Sequence, residues 1–158
     1  MAHFLRSHSR PRIVRLPLCG ISAMGARDVH FLVVMGMFGV GPALGPQLMA
    51  EIGDVRRFHS KKALVAFAGI DAPPYQSGQM EVRSRSISKR GSSALRRTLF
   101  LVMSSILRRS PADEPVYQFM DRKRAEGKPY RVYMMASANK FLRIYYATVK
   151  QHLDRLEA

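Results

Sequence analysis

An all-α fold is predicted for this 158-residue chain, and three observations predict it. Leu95, Leu99, Val102, Met103 and Ile106 recur at helical spacing and mark one buried stripe. Tyr130 to Leu156 carries a second stripe, through Met135, Asn139, Leu142, Tyr146 and Val149. Between the periodic runs stand Gly and Pro rather than alternating strand patterns. The expected architecture is a small helical domain with a helix–hairpin–helix and a basic loop followed by a helix.

The elements follow in order. A short helix is expected over 28–37, with Asp28 near its start. Gly39-Val40-Gly41-Pro42 then reads as a hairpin. A second helix is expected over 43–52, with Pro46 in its first turn, where a missing N–H costs least, and Gly53 as its stop. Ser60 caps a third helix that buries Leu64, Val65 and Phe67 and ends at Gly69. Residues 70–91 are irregular, and Val82 and Ile87 would allow a short hairpin there. The fourth helix runs over 92–109, with Arg108 and Arg109 complementing its C-terminal dipole. The fifth runs over 115–126 with Asp113 as its cap and Gly127 as its stop, and the last over 130–156. Residues 1–30 read as a basic arm and 31–158 as the domain.

Hydrophobic residues make up 47% of the chain, enough for a packed core. One cysteine, Cys19, excludes an intramolecular disulfide framework and a cysteine-built zinc site. The net charge is +15 and the pI near 10.9, so the natural partner is a polyanion. The charge is uneven. No acid lies between Glu81 and Asp113, but Arg83, Arg85, Lys89, Arg90, Arg96, Arg97, Arg108 and Arg109 all do. A solvated face is the plain alternative, yet a run without neutralising acids fits a phosphate footprint better. Beyond Asp113 acids and bases mix as on an ordinary surface. Phe31 to Ala50 is uncharged and membrane-span long, but Gly36, Gly39, Gly41, Gly45, Pro42 and Pro46 argue against a span in lipid. The arginines at 6, 10, 12 and 15 leave no apolar core for a secretory signal. A soluble protein of a reducing compartment is the expectation.

Three motifs bear on chemistry. Gly39, Gly41 and Pro42 between two helices would let a phosphate approach the backbone and meet the N–H groups of the second helix. Such contact positions DNA without reading sequence, although the same residues also suit an ordinary αα turn. Gln76-Ser77-Gly78 places a serine in a loop ahead of Arg83 and Arg85. A serine attacks a phosphodiester when nearby cations stabilise the charge developing on its oxygens, but a Ser-Gly pair is more often only a turn. The eleven carboxylates are scattered without paired spacing, so no metal site is read. The tyrosines at 130, 133, 145 and 146 suit core packing better than base stacking.

From about Phe38 to Ala147 the sequence resembles the C-terminal domain of the transposases of insertion-sequence families 110, 116 and 902 and of the Piv-type pilin-gene recombinases. The runs that carry the resemblance are long. They are Gly39-Val40-Gly41-Pro42, Ala50-Glu51-Ile52-Gly53-Asp54, Arg57-Phe58-His59-Ser60 and Leu64 through Ile70. Further on come Gln76-Ser77-Gly78, Ile87-Ser88-Lys89-Arg90-Gly91, Leu95-Arg96-Arg97, Lys123 through Tyr130 and Ala138 through Arg143.

The resemblance implies a recombinase in two parts. An N-terminal RNase H-like domain holds Mg2+ on an acidic tetrad, and the C-terminal domain supplies a serine that forms a covalent phosphoserine link to DNA. A structured guide RNA can direct the choice of sites. The serine carries over to Ser77. Arg83 and Arg85 would stabilise the transition state, and Lys89, Arg90, Arg96 and Arg97 would hold phosphates. The chain departs from the pattern by Ser86 where Gly is common before Ile87, and by Ser92 where Asn is common after Gly91. It also lacks the acidic domain, so the expectation is a truncated member that binds no metal of its own and is inactive alone. A second copy of the chain or a full-length transposase are candidate partners beside DNA and the guide RNA. The competing expectation is a non-enzymatic helix–hairpin–helix module that only binds nucleic acid.

Overall fold

In a computed structural model of the chain, residues 26–72, 76–77, 80–81 and 86–157 are described. The helices are α1 (Ala26–Met35), α2 (Leu44–Ile52), α3 (Lys61–Ala68), α4 (Ser93–Arg109), α5 (Pro115–Ala125) and α6 (Tyr130–Glu157). A 3-10 turn, Val55–Arg57, links α2 to α3, and two-residue strands β1 (Gln76–Ser77) and β2 (Met80–Glu81) form an antiparallel ladder. The all-α expectation holds. Helix α1 lies two residues earlier than expected and straddles the boundary placed at residues 30 and 31.

Local chemistry sets the ends of the helices. The Ser60 hydroxyl accepts from the Ala63 N–H at 3.2 Å, and the Ser92 hydroxyl from the Leu95 N–H at 3.1 Å. Ser and Asn are comparably good N-caps, so Ser92 fills the place where Asn is common without loss of the cap. The expected cap of α5 is corrected: the Glu114 carboxylate, not Asp113, accepts from the Tyr117 N–H at 2.7 Å. Pro115 at the first helical position needs no partner, which puts the carboxylate immediately before it in the capping place. The short hairpin is also corrected. Gln76 pairs with Glu81 and Ser77 with Met80, while Ile87 packs beside the core and Val82 lies outside the described residues.

Helix α6 is the central post. Its Tyr133, Met134, Ala138, Phe141, Leu142, Tyr145, Val149 and Leu153 are buried, and α1, α3, α4 and α5 all pack on it. All five residues of the expected α4 stripe are fully buried. In α3, Leu64 and Val65 are buried, but Phe67 is only half-buried. Its ring lies 5.3 Å from that of Phe58, and the Arg57 guanidinium sits 4.7 Å from both rings. The Tyr146 hydroxyl donates to the Phe58 carbonyl at 3.0 Å, tying this corner to α6.

Candidate nucleic-acid interface

The hairpin after α1 owes its first glycine to packing. Gly39 is buried at φ +82°, and a Cβ there would lie 2.4 Å from the Ile106 side chain of α4. Gly41 differs: a Cβ there would meet nothing within 4 Å, and Pro42 beside it is exposed. The first turn of α2 has no side-chain cap, since Ala43 stands in the capping position. Gly41 and Pro42 therefore form the outward face of the hairpin, and Gly39 its anchor.

Residues 67–71 and 88–92, on the two chain sides of the Ser77 segment, are clamped together as a stem. The Ser88 N–H donates to the Asp71 carbonyl at 2.9 Å, the Lys89 N–H to the Gly69 carbonyl at 3.0 Å, and the Ser92 N–H to the Phe67 carbonyl at 2.8 Å. The Ser88 hydroxyl adds a bond to the Asp71 carboxylate at 2.5 Å. Arg96 locks the stem from beneath, its Nη1 donating to the Ala68 and Gly91 carbonyls, each at 3.0 Å. Gly91 leaves no room for a side chain, because a Cβ would sit 1.9 Å from the Phe67 carbonyl oxygen. Lys89 holds a left-handed φ of 57°, which its stem bond requires. The Ser92 hydroxyl reaches the Glu51 carboxylate of α2 at 3.2 Å. The Ile87–Gly91 and Leu95–Arg97 runs thus build a stem, and Arg96 spends its donors inside it.

A groove of about 1090 Å3 opens beside this stem. Ala72 and Ser86, which flank the Ser77 segment in the chain, both line it. Ile70 and Ile87 of the stem, Phe100 of α4, Phe119 of α5 and Val132 and Met135 of α6 give it an apolar floor. Lys89, Arg122, Arg131, Lys140 and Arg143 rim it, and among the described residues no carboxylate lines it. None of these five cations forms an ion pair among the described residues, where the pairs are Arg56 with Asp54 and Glu157, and Lys123 with Glu126. The Glu114 carboxylate, near Lys140, is held above its ordinary range by burial, against the opposing pull of the backbone N–H groups it caps.

Of the expected contact residues, only Lys89 lines the groove. Arg90 and Arg97 are exposed, and Arg83 and Arg85 lie outside the described residues. The backbone of Ser77 sits in β1 opposite Met80. Four cations were missed: Arg122, Arg131, Lys140 and Arg143. On α6 their signal was present as a stripe, since Arg131, Met135, Asn139 and Arg143 recur every four residues on one helix face. Among the described residues no group of three or more His, Cys, Asp or Glu could hold a metal ion, and no helix is long and apolar enough to cross a membrane.

A clamped stem beside a groove rimmed by five cations is what the described residues present. The chain belongs to the Transposase IS116/IS110/IS902 family, whose model matches residues 32–118. It is 32% identical over 115 residues to the pilin gene-inverting protein of Moraxella bovis, covering 72% of this chain and 35% of that protein. The pilin gene-inverting protein of Moraxella lacunata matches to the same extent. An insertion element IS900 protein of Mycobacterium paratuberculosis is 30% identical over 130 residues, covering 80% of this chain and 31% of that protein. The chain thus spans about a third of the length of these relatives.

Proposed function

We propose that the chain is the DNA-binding, serine-bearing part of a transposase of this family. The observation that carries the reading is the shared location of stem and groove. Ala72 and Ser86, which flank the Ser77 segment in the chain, line the groove together with five cations, and among the described residues no acid lines it. Phosphates seated on Lys89, Arg122, Arg131, Lys140 and Arg143 would bring a strand alongside that segment. Ser77 Oγ then attacks phosphorus. The Oγ–P bond forms as the bond from phosphorus to one ester oxygen breaks; the Oγ proton passes to water, and the leaving oxygen takes a proton from water to become a free strand hydroxyl. The cations stabilise the charge on the phosphoryl oxygens. Arg83 and Arg85 follow Ser77 closely enough in the chain to share that task, and Gly41 with Pro42 offers a second phosphate contact at the start of α2.

No cluster of the described residues fits a divalent ion, so no step is routed through one here. Mg2+ would belong to an RNase H-like domain acting with this one. A guide RNA, self-association, or association with a longer transposase are partners consistent with this reading, in the bacterial cytoplasm and on the nucleoid. The relatives' names, a gene-inverting protein and an insertion-element protein, support recombination as the setting.

The test is covalent trapping. The chain is mixed with duplex DNA spanning the ends of its mobile element, with and without Mg2+, denatured and resolved on a gel. The expected adduct disappears in Ser77→Ala while salt-sensitive binding persists. An adduct that survives Ser77→Ala removes the nucleophile assignment. Salt-sensitive binding with no adduct under any condition favours the purely binding helix–hairpin–helix module.

A further inference from the structure

The groove is built for more than a phosphate backbone. A surface that only tracks a duplex needs cations and donors; it gains nothing from an apolar floor, because the bases stay stacked inside the helix. Here Ile70, Ile87, Phe100, Phe119 and Met135 lie beneath the cationic rim. Both rings are half-buried rather than sealed in the core. Tyr130, 47% exposed, meets Phe100 edge-on at 6.1 Å and extends the aromatic surface to solvent. Asn139 brings an amide with both donor and acceptor into the same lining.

The cations add a second argument. Lys140 and Arg122 sit 5.1 and 5.4 Å from the Phe119 ring centroid, while Lys123, 5.8 Å away, is paired with Glu126. The ring attracts each cation, and Lys140 and Arg122 beside it, neither in an ion pair among the described residues, favour the arrival of an anion. The volume exceeds the roughly 300–1,000 Å3 of ordinary small-ligand pockets, so it accommodates a base together with its flanking phosphates.

We propose that this groove captures unpaired nucleotides of a DNA strand. A base buries its face against Phe119 and Phe100, its edge meets the Asn139 amide, and its flanking phosphates lie on Arg131, Lys140 and Arg143. This deepens the DNA-binding reading and rests on it. The occupant is a single strand, exposed when a duplex opens near the segment that carries Ser77. Capture there would hold the opened strand beside Ala72 and Ser86, which flank the Ser77 segment in the chain.

The experiment measures the full chain binding to labelled 20-nucleotide strands of one sequence as single-stranded DNA, blunt duplex DNA and single-stranded RNA, across a salt series. Single-stranded DNA is expected to bind about tenfold more tightly than duplex, the scale of one or two stacked bases. Phe119→Leu keeps an apolar side chain of similar bulk. It should weaken single-strand binding about fivefold or more and leave duplex binding unchanged. Asn139→Ala, on a half-buried position, is the second variant and should weaken the single strand alone. Thermal melting checks that both variants fold. Equal affinity for single strand and duplex overturns the proposal, as does equal weakening of both by the variants, and the cationic DNA-binding reading then stands. Preference for RNA over DNA of the same sequence also overturns it. Binding to none of the three overturns the proposal and the DNA-binding reading together.

Discussion

The stem and the groove adjoin each other and are both rich in basic residues, yet they use those residues oppositely. In the stem, Arg96 turns inward and its Nη1 satisfies the Ala68 and Gly91 carbonyls. In the groove, Arg131 and Arg143 turn outward, exposed and without an ion pair among the described residues. A positive charge counted along the chain is therefore no guide to whether a guanidinium builds the fold or meets a ligand. The Ile87–Gly91 and Leu95–Arg97 runs contribute to the frame, while four of the groove's five cations stand on α5 and α6, where acids and bases mix along the chain.

The largest effect that could break this contrast lies at Gly91. Gly91→Ala drives a Cβ into the Phe67 carbonyl oxygen, 1.9 Å away, with the Gly69 nitrogen 2.7 Å off. Both obstacles are backbone, so the stem must open, and a destabilisation of roughly 3 kcal/mol or more is expected. Urea unfolding measures it. A Gly91→Ala protein as stable as the parent would mean that the stem is not held as described.

Next comes Gly39 against Gly41. Gly39→Ala meets Ile106 at 2.4 Å and must adopt a φ of +82°, so about 2 kcal/mol is expected to be lost. Gly41→Ala has open space and should stay within about 0.5 kcal/mol of the parent. Any loss of duplex affinity in Gly41→Ala then reports a close phosphate approach at the hairpin, free of a folding defect. Unchanged affinity would assign the duplex contact to the groove alone.

The stem and groove arginines give a finer separation. Arg96→Lys keeps the charge but cannot span two carbonyls in the same way, and should cost about 1–2 kcal/mol of stability. Arg131→Ala and Arg143→Ala should leave the unfolding midpoint unchanged. Each should weaken binding to every DNA sequence alike and flatten the salt slope by about one. If Arg96→Lys left stability intact and flattened the slope instead, Arg96 would belong with the phosphate contacts.

Much of this frame was legible beforehand. Helical periodicity found all six helices within a few residues, and the Ser60 and Ser92 caps followed from side-chain chemistry. Glu114 displaced Asp113 because only the residue directly before Pro115 reaches the Tyr117 N–H. The groove was not legible for a different reason. Asp121 and Glu126 neutralise Arg122 and Lys123 in any linear count, whereas the fold turns Arg122 toward the groove and leaves Lys123 paired with Glu126. Nor does sequence separation show that Ile70, Ala72, Ser86, Ile87 and Lys89 line one groove with residues of α6.

The smallest expected effect lies away from both regions, at the joint of α1 and α6, and pH reaches it selectively. His30 and His152 each bury an Nε2 that has no hydrogen-bond partner among the described residues. Burial holds the His30 imidazole below its ordinary range. Asp54 pulls it upward, and His152 pushes it down. A His with a depressed folded value takes up its proton more readily when unfolded. Stability should therefore fall as pH drops below about 6.5, the ordinary value, and go on falling through the folded value. The Asp54 carboxyl, held below its ordinary range by hydrogen bonds from Arg56, weakens the fold only in a lower, carboxylate window. Glu114 runs the other way, because its raised value makes protonation favour the folded form. Amide hydrogen exchange followed from pH 7.5 to 5.5 should show α1 losing protection first, while the stem amides of Ser88, Lys89 and Ser92 keep theirs. His30→Gln should remove that acid sensitivity of α1. If α1 and the stem lost protection together, the two would form one cooperative unit, and the stem would lose its standing as an independently fixed frame.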